Sequence, residues 1–315
     1  MRFPSFFQRY SLRTMLLLFI GVAAILNFYY LPPINRHNAI HWLEKSKYVK
    51  RCYASMDSAR NQALLLDFFY DKLYTDIVSI NIEVPENISD ADLLQIYHKI
   101  SGIGEIGSLS ILCDTSSQLA SNKTSSRDLL LKGITFKVNE LSIKSFRINM
   151  DDYSPNLHGT SKLDIRDCQL VFGKGNKITL PVGAYIQSSI VTNQPKLTIY
   201  GREKLYLLLG GCSNNCLIKV TGTYNHLAVN LDEAYHKANI QIQGRAGEVD
   251  VTSFRGTVLP NEMCVDISRL QCQILYIRDI NKVICSGKLK SRLENDGVGL
   301  FFDKVPRIEY VAQEE

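Results

Sequence analysis

The sequence predicts a mainly β protein with a smaller α/β part, and three observations carry the prediction. The run "MLLLFIGVAAILNFYYL", from Met15 to Leu31, is apolar apart from Asn27. A strand, helix, strand pattern follows between Asp76 and Thr115. Beyond Asp128 helical periodicity gives way to short alternating runs, and Ile218, Val220, Gly222, Leu227 and Val229 are answered by Ile240, Ile242, Gly244, Val249 and Val251, a step of 240 − 218 = 22.

The chain of 315 residues, 45 % hydrophobic and 21 % charged, has ordinary globular composition. Its net charge of +5 is no sign of a nucleic-acid partner. Arg2, Arg9 and Arg13 precede the apolar run, and elsewhere Lys and Arg alternate with Asp and Glu without a basic patch interleaved with aromatics.

Residues 1–14 read as a cytoplasmic basic leader and residues 15–31 as a transmembrane anchor, about 17 residues against a hydrocarbon core about 30 Å thick. Tyr29 and Tyr30 suit the headgroup region, Pro32-Pro33 is expected to stop the helix, and the arginines keep the N-terminus inside. This predicts a single-pass protein of the cell membrane whose C-terminal part is extracytoplasmic. A cleaved signal peptide is the alternative, because Val22-Ala23-Ala24 fits a small-residue cleavage site; the apolar run continues past Ala24, which favours the anchor.

Residues 36–112 form the α/β segment. A short helix from Asn38 to Lys45 and a strand from Tyr48 to Tyr53 open it, and "NQALLLDFFYDKLYTD" reads as a second helix. A strand through Ile80 and Ile82 precedes a helix capped by Ser89 and carrying Leu93, Leu94 and Ile96; a second strand holds Leu109 and Ile111. Strand to strand is 109 − 80 = 29 residues, within the leucine-rich-repeat range. Residues 113–128, rich in Ser, Thr and Asn, read as a linker. Asn87 and Asn122 begin glycosylation sequons.

The opening "RYSLRTMLLLFIGVAAIL", the pair "AIHWLEK" and "VKRCYAS", and the element "NISDADLLQI" resemble the leader and leucine-rich-repeat segment of planctomycete anchored envelope proteins. The resemblance covers the first third of the chain and has Ser89 where that pattern has Thr. It implies an anchored protein and carries over no catalytic residue.

Residues 129–315 form the β-repeat domain. One series runs through Ile134, Phe136 and Val138, then Leu141 and Ile143, Leu163 and Ile165, Leu197 and Ile199, Ile218 and Val220, Ile240 and Ile242, and Val265 and Ile267. A second, offset by eight or nine residues, runs through Leu205 and Leu207, Leu227 and Val229, Val249 and Val251, and Ile274. Two strands per period, joined at Gly201, Gly222 and Gly244, predict a β-solenoid; Arg269 takes the glycine's place in the fourth unit, so that turn should differ. Lys219, Asn230, Gln241 and Asp250 should face outward. An antiparallel β-sandwich is the alternative architecture. Phe301, Phe302 and Val305 are expected to cover the last coil.

The residues offer no catalytic, cofactor-binding or metal site. Asp164 with Asp167, and Asp232 with Glu233, are the available acidic pairs, and they read as ordinary surface. "GKGNK", Gly173 to Lys177, lacks the spacing of a phosphate loop and reads as a turn. His226 and His236 belong to strand-flanking loops. Cys212 and Cys216 lack the further ligands of a zinc site, and Cys272 and Cys285 read as small buried hydrophobes. The expected function is that of a non-enzymatic structural or binding protein of the envelope, with a protein or glycan partner on the β-repeat surface. The alternative is a carbohydrate-active hydrolase or lyase on the same scaffold.

Overall fold

An alternating strand buries one face when neighbours pair with its edges and a core closes behind it. In the computed structural model, which describes residues 12–25, 27, 31–55, 76–114, 127–130, 134–153, 160–192, 194–212, 216–231, 239–253, 264–289, 291 and 299–311, one continuous sheet meets both needs. The predicted helix over 61–76 falls outside the described residues except for Asp76, as do Asn122 and most of the 113–128 linker.

The helix α1 (Leu12–Ile25), 14 residues long, carries the part of the apolar run from Met15 to Ile25. Among the described residues no helix is long and apolar enough to cross a membrane. Pro32 and Pro33 open the next helix, α2 (Leu31–Lys45), instead of ending the first. Amides of a first helical turn have no intrahelical acceptor, so a residue without an N–H loses nothing there. Through buried Ala39, Ile40 and Leu43, α2 joins the core beside the first strand, β1 (Val49–Ser55). The predicted strand, helix, strand unit is present as β2 (Asp76–Pro85), α3 (Asp90–Ser101) and β3 (Glu105–Asp114). Ser89 caps α3, its hydroxyl accepting from the Asp92 N–H at 3.1 Å, and Leu93, Ile96, Tyr97 and Ile100 form the buried stripe.

The remaining strands are β4 (Lys137–Lys144), β5 (Arg147–Asn149), β6 (Lys162–Phe172), β7 (Lys177–Thr179), β8 (Gly183–Thr192), β9 (Lys196–Cys212), β10 (Leu217–Leu231), β11 (Asn239–Ser253), β12 (Cys264–Arg278), β13 (Lys282–Ser286), β14 (Leu300–Asp303) and β15 (Arg307–Val311). A short helix, α4 (Met150–Tyr153), follows β5. The main strand order is β1-β2-β3-β4-β6-β8-β9-β10-β11-β12-β13-β15, with β5 on β6, β7 on β9 and β14 on β12. Among the described strands only β1 and β2 pair antiparallel. All other pairings are parallel, which removes the sandwich alternative and makes the C-terminal part a β-solenoid of about 6 turns.

The inward residues stack in columns. One column runs Ile80, Leu109, Leu141, Leu163, Ala184, Leu205, Leu227, Val249, Leu275, Leu300, and beside it stands Ile82, Ile111, Ile143, Ile165, Ile186, Leu207, Val229, Val251, Ile277, Phe302. Strands before and after 113–128 therefore share one sheet and one core. Within β10 the buried positions change parity, from Ile218 and Val220 to Leu227, Val229 and Leu231, because the strand bends around a corner and presents two faces of the coil. We call the face carrying Ile218 the first and that carrying Leu227 the second. A third is formed where Ile148, Leu170 and Ile190 align.

This register corrects the two series. Leu163 aligns with Ala184 and Leu205, not with Leu197, so the early coils belong to the column of the second series. The strand "GAYIQSSIVT" escapes an apolar search because Ala184 and Ser188 occupy inward positions. The two strands expected on either side of each glycine are one bent strand, with Gly201, Gly222 and Gly244 aligned at the bend. In β12 a register shift follows Asp266, which places Leu270 opposite Gly244 and makes Leu275, not Ile274, the inward residue. The tail forms a final rung instead of a cover: β14 pairs with β12, Phe301 is exposed, and Phe302 and Val305 are only half-buried.

Candidate binding surfaces

Because side chains alternate, each outward column is as regular as the core. On the second face Asp164, Tyr185 and Tyr206 follow one another across three coils. The Arg166 guanidinium lies 4.8 Å from the Tyr185 ring centre, Tyr185 and Tyr206 are 6.3 Å apart, and Tyr206 and His226 are 5.1 Å apart. His226 Nδ1 is 3.1 Å from Glu248 Oε2. A strip of cation, two phenols, imidazole and carboxylate thus crosses β6, β8, β9, β10 and β11. His226 lies within β10, where the sequence suggested a flanking loop. Farther along, Tyr276 and Phe301 stack at 4.9 Å.

Several ion pairs lie on the same face. Arg166 Nε donates to Asp164 Oδ1 at 2.8 Å, Lys144 lies 3.6 Å from Asp167, Lys162 pairs with Glu140, and Arg278 is 3.4 Å from Asp303. Asp164 and Asp167 have separate partners. Asp164 holds Arg166, whereas Asp167 occupies a corner with φ 52° and accepts from Gln187 Nε2 at 3.4 Å. Asp232, Glu233 and His236 fall outside the described residues.

The first face differs. Lys196, Lys219 and Arg269 project from β9, β10 and β12, and among the described residues none has an ion-pair partner. Asp266 lies nearby with both oxygens engaged: Oδ1 accepts from the Ser268 N–H at 2.9 Å and Oδ2 from Gln241 Nε2 at 3.0 Å. Burial, followed by the charges of Lys196 and Arg269, holds the Lys219 ammonium below the ordinary lysine value.

The "GKGNK" segment is a turn held from the preceding coil. Asp151 Oδ2 accepts from the Lys174 N–H at 2.7 Å and Oδ1 from the Gly175 N–H at 2.9 Å. Cys216, Cys272 and Cys285 are buried, while the Cys212 side chain lies outside what the structure describes. Two open depressions are lined by described residues. One of about 550 Å³ is lined by Lys47, Lys50, Glu83 and Asp92 beside α3, and one of about 540 Å³ by Asn225, Arg245, Gln271 and Gln273 at the solenoid corner.

Sequence parity had placed Lys219 and Gln241 outward, as found. The aromatic strip was missed with β8, which supplies Tyr185. No known family model, no curated protein and no solved structure matches this chain.

Proposed function

We propose that the chain is a membrane-anchored, non-enzymatic binding or structural protein of the cell envelope, which holds its partner on the outer surface of the β-solenoid. The observation that carries the binding reading is the strip Arg166, Tyr185, Tyr206, His226 and Glu248. It extends along stacked strands, where the scaffold fixes side-chain spacing without requiring a pocket. Asp164, Asp167 and Asp303 on that face are ion-paired, and this favours binding over hydrolysis or elimination on a carbohydrate.

The anchor rests on α1. Leu16, Leu17, Leu18, Phe19 and Ile20 occupy every side of that helix and are each more than half exposed. Apolar surface of that extent favours an apolar environment. Arg2, Arg9 and Arg13 precede it, as in a helix inserted with its N-terminus inside.

The test is protease accessibility of a tag placed after Glu315, on intact and permeabilised cells, with a membrane-fraction blot of the same samples. A membrane-bound tag cut from outside, or once only an outer envelope is opened, is the expected result. Protection until the cytoplasmic membrane is broken would overturn the topology.

A further inference from the structure

Among the described residues of the first face, Lys196, Lys219 and Arg269 have no ion-pair partner, and neither has Lys177 on β7, which stands opposite Thr198, the partner of Lys219. Lys196 on β9 stands opposite Leu217, two positions from Lys219 on the same side of the sheet. Arg269 on β12 stands opposite Gln243, two positions from Gln241, which is the partner of Lys219. The three cations therefore follow a diagonal over four successive strands, β9 to β12.

Neutral groups fill the spaces between them. Gln243 Nε2 donates to Thr221 Oγ1 at 3.3 Å, and the exposed Tyr200 lies opposite Thr221. Asp266, the one acid among the described outward residues of this stretch, accepts from Gln241 and Ser268 and makes no ion-pair contact with any of the three. Burial is the main cause that lowers the Lys219 pKa and repulsion from Lys196 and Arg269 adds to it; an anion bound between the cations would offset the repulsive part.

We infer that the first face binds an acidic polysaccharide, its carboxylates or ester anions held by Lys196, Lys219 and Arg269 and its hydroxyls by Thr221, Gln243 and Tyr200. Strands in a sheet lie about 4.8 Å apart, comparable to the advance of one pyranose ring along its chain. Isolated charges separated by amide and hydroxyl groups match a polymer with one anion per sugar and hydroxyls between. A nucleic acid would instead require the denser phosphate contacts of a basic patch. The inference rests on the reading of the solenoid surface as a binding surface and is independent of the anchor.

The experiment is isothermal titration of the purified full chain in detergent micelles with oligogalacturonate, with uncharged dextran and a single-stranded oligonucleotide as comparison probes. Oligogalacturonate should bind and dextran should not. The triple variant Lys196→Gln, Lys219→Gln, Arg269→Gln should weaken binding by about tenfold or more, the effect of removing charge-assisted contacts. Lys196→Arg with Lys219→Arg should retain it. A second-face control, Lys144→Gln with Lys162→Gln, should leave affinity unchanged, and the variants' melting curves report their folding. No binding by the wild type at millimolar ligand, equal binding of dextran, tighter binding of the oligonucleotide, or an equal loss in the control would each overturn the inference. Because the titration uses purified protein, its failure is separate from failure of the topology test.

Discussion

The carbonyl oxygen of Gly222 stands 2.1 Å from the position a Cβ on Gly244 would occupy. The two glycines are register partners at the bend of adjacent coils, so backbone meets backbone where a side chain would ordinarily stand. Gly244 also has φ 113°, outside the range that L side chains favour.

Gly244→Ala should therefore destabilise the solenoid by roughly 3 kcal/mol, combining backbone strain with displacement of the neighbouring coil. Gly287→Ala, where nothing lies within 4 Å of the added carbon, should cost far less. Urea unfolding followed by circular dichroism measures both. Equal midpoints for the two variants would show that the coils at the bend separate without cost.

Burial predicts a second contrast within one column. Ile165 is completely buried, whereas Phe302 occupies the terminal rung of the same column and is half-buried. Ile165→Ala should cost about 3 kcal/mol, within the range for a core cavity, and Phe302→Ala about 1 to 2 despite its larger side chain. Stability in a stacked array is a sum of neighbour interfaces, and a terminal rung has one fewer. Thermal melts of the two variants should rank accordingly.

The repeat was legible where inward positions are Ile, Val or Leu and the step stays at 21 or 22, as from Leu205 to Leu227 to Val249. It was lost at β8, where Ala184 and Ser188 are inward, and displaced at β12, where one added residue moves the column from Ile274 to Leu275. Pairing partners restore what composition conceals there, because Ala184 is held by Leu163 on one side and Leu205 on the other. The outward polarity of Lys219 and Gln241 followed from alternation alone. That Lys219 lacks a counter-ion among the described residues depends on which coils become neighbours, and a single strand's pattern does not contain that information.

The Asp151 carboxylate should matter more than its exposed position suggests, because it accepts from two successive backbone amides of the next coil. Asp151→Ala should cost about 1 to 2 kcal/mol, the range for charged acceptors moderated by solvent. Asp151→Asn, which keeps one acceptor oxygen, should fall between it and the wild type. Amide exchange at Lys174 and Gly175 reads the same contact locally, and protection unchanged in Asp151→Ala would remove the carboxylate from the account of this turn.

Cys168 gives the fold a specific alkaline sensitivity. Its sulfur lies in the core, accepts from the Phe146 N–H at 3.4 Å and approaches the Arg166 carbonyl oxygen at 3.1 Å. Burial pushes the thiol up to about 12 from an ordinary 9.0, with the backbone hydrogen bonds pulling the other way. The folded state thus keeps a proton that the unfolded state releases. Its contribution is fully present below pH 9.0 and is lost as pH rises toward about 12. The slope approaches about 1.4 kcal/mol per pH unit for one proton. Cys168→Ser removes this titration while keeping a small hydrogen-bonding group, so its stability should fall less steeply than the wild type's through that window. Tyr97 and Tyr224, whose phenols burial also raises, titrate alike in both proteins and cancel in the difference. The measurement is urea midpoint against pH for the two proteins; parallel curves would mean that water reaches the thiol in the folded state.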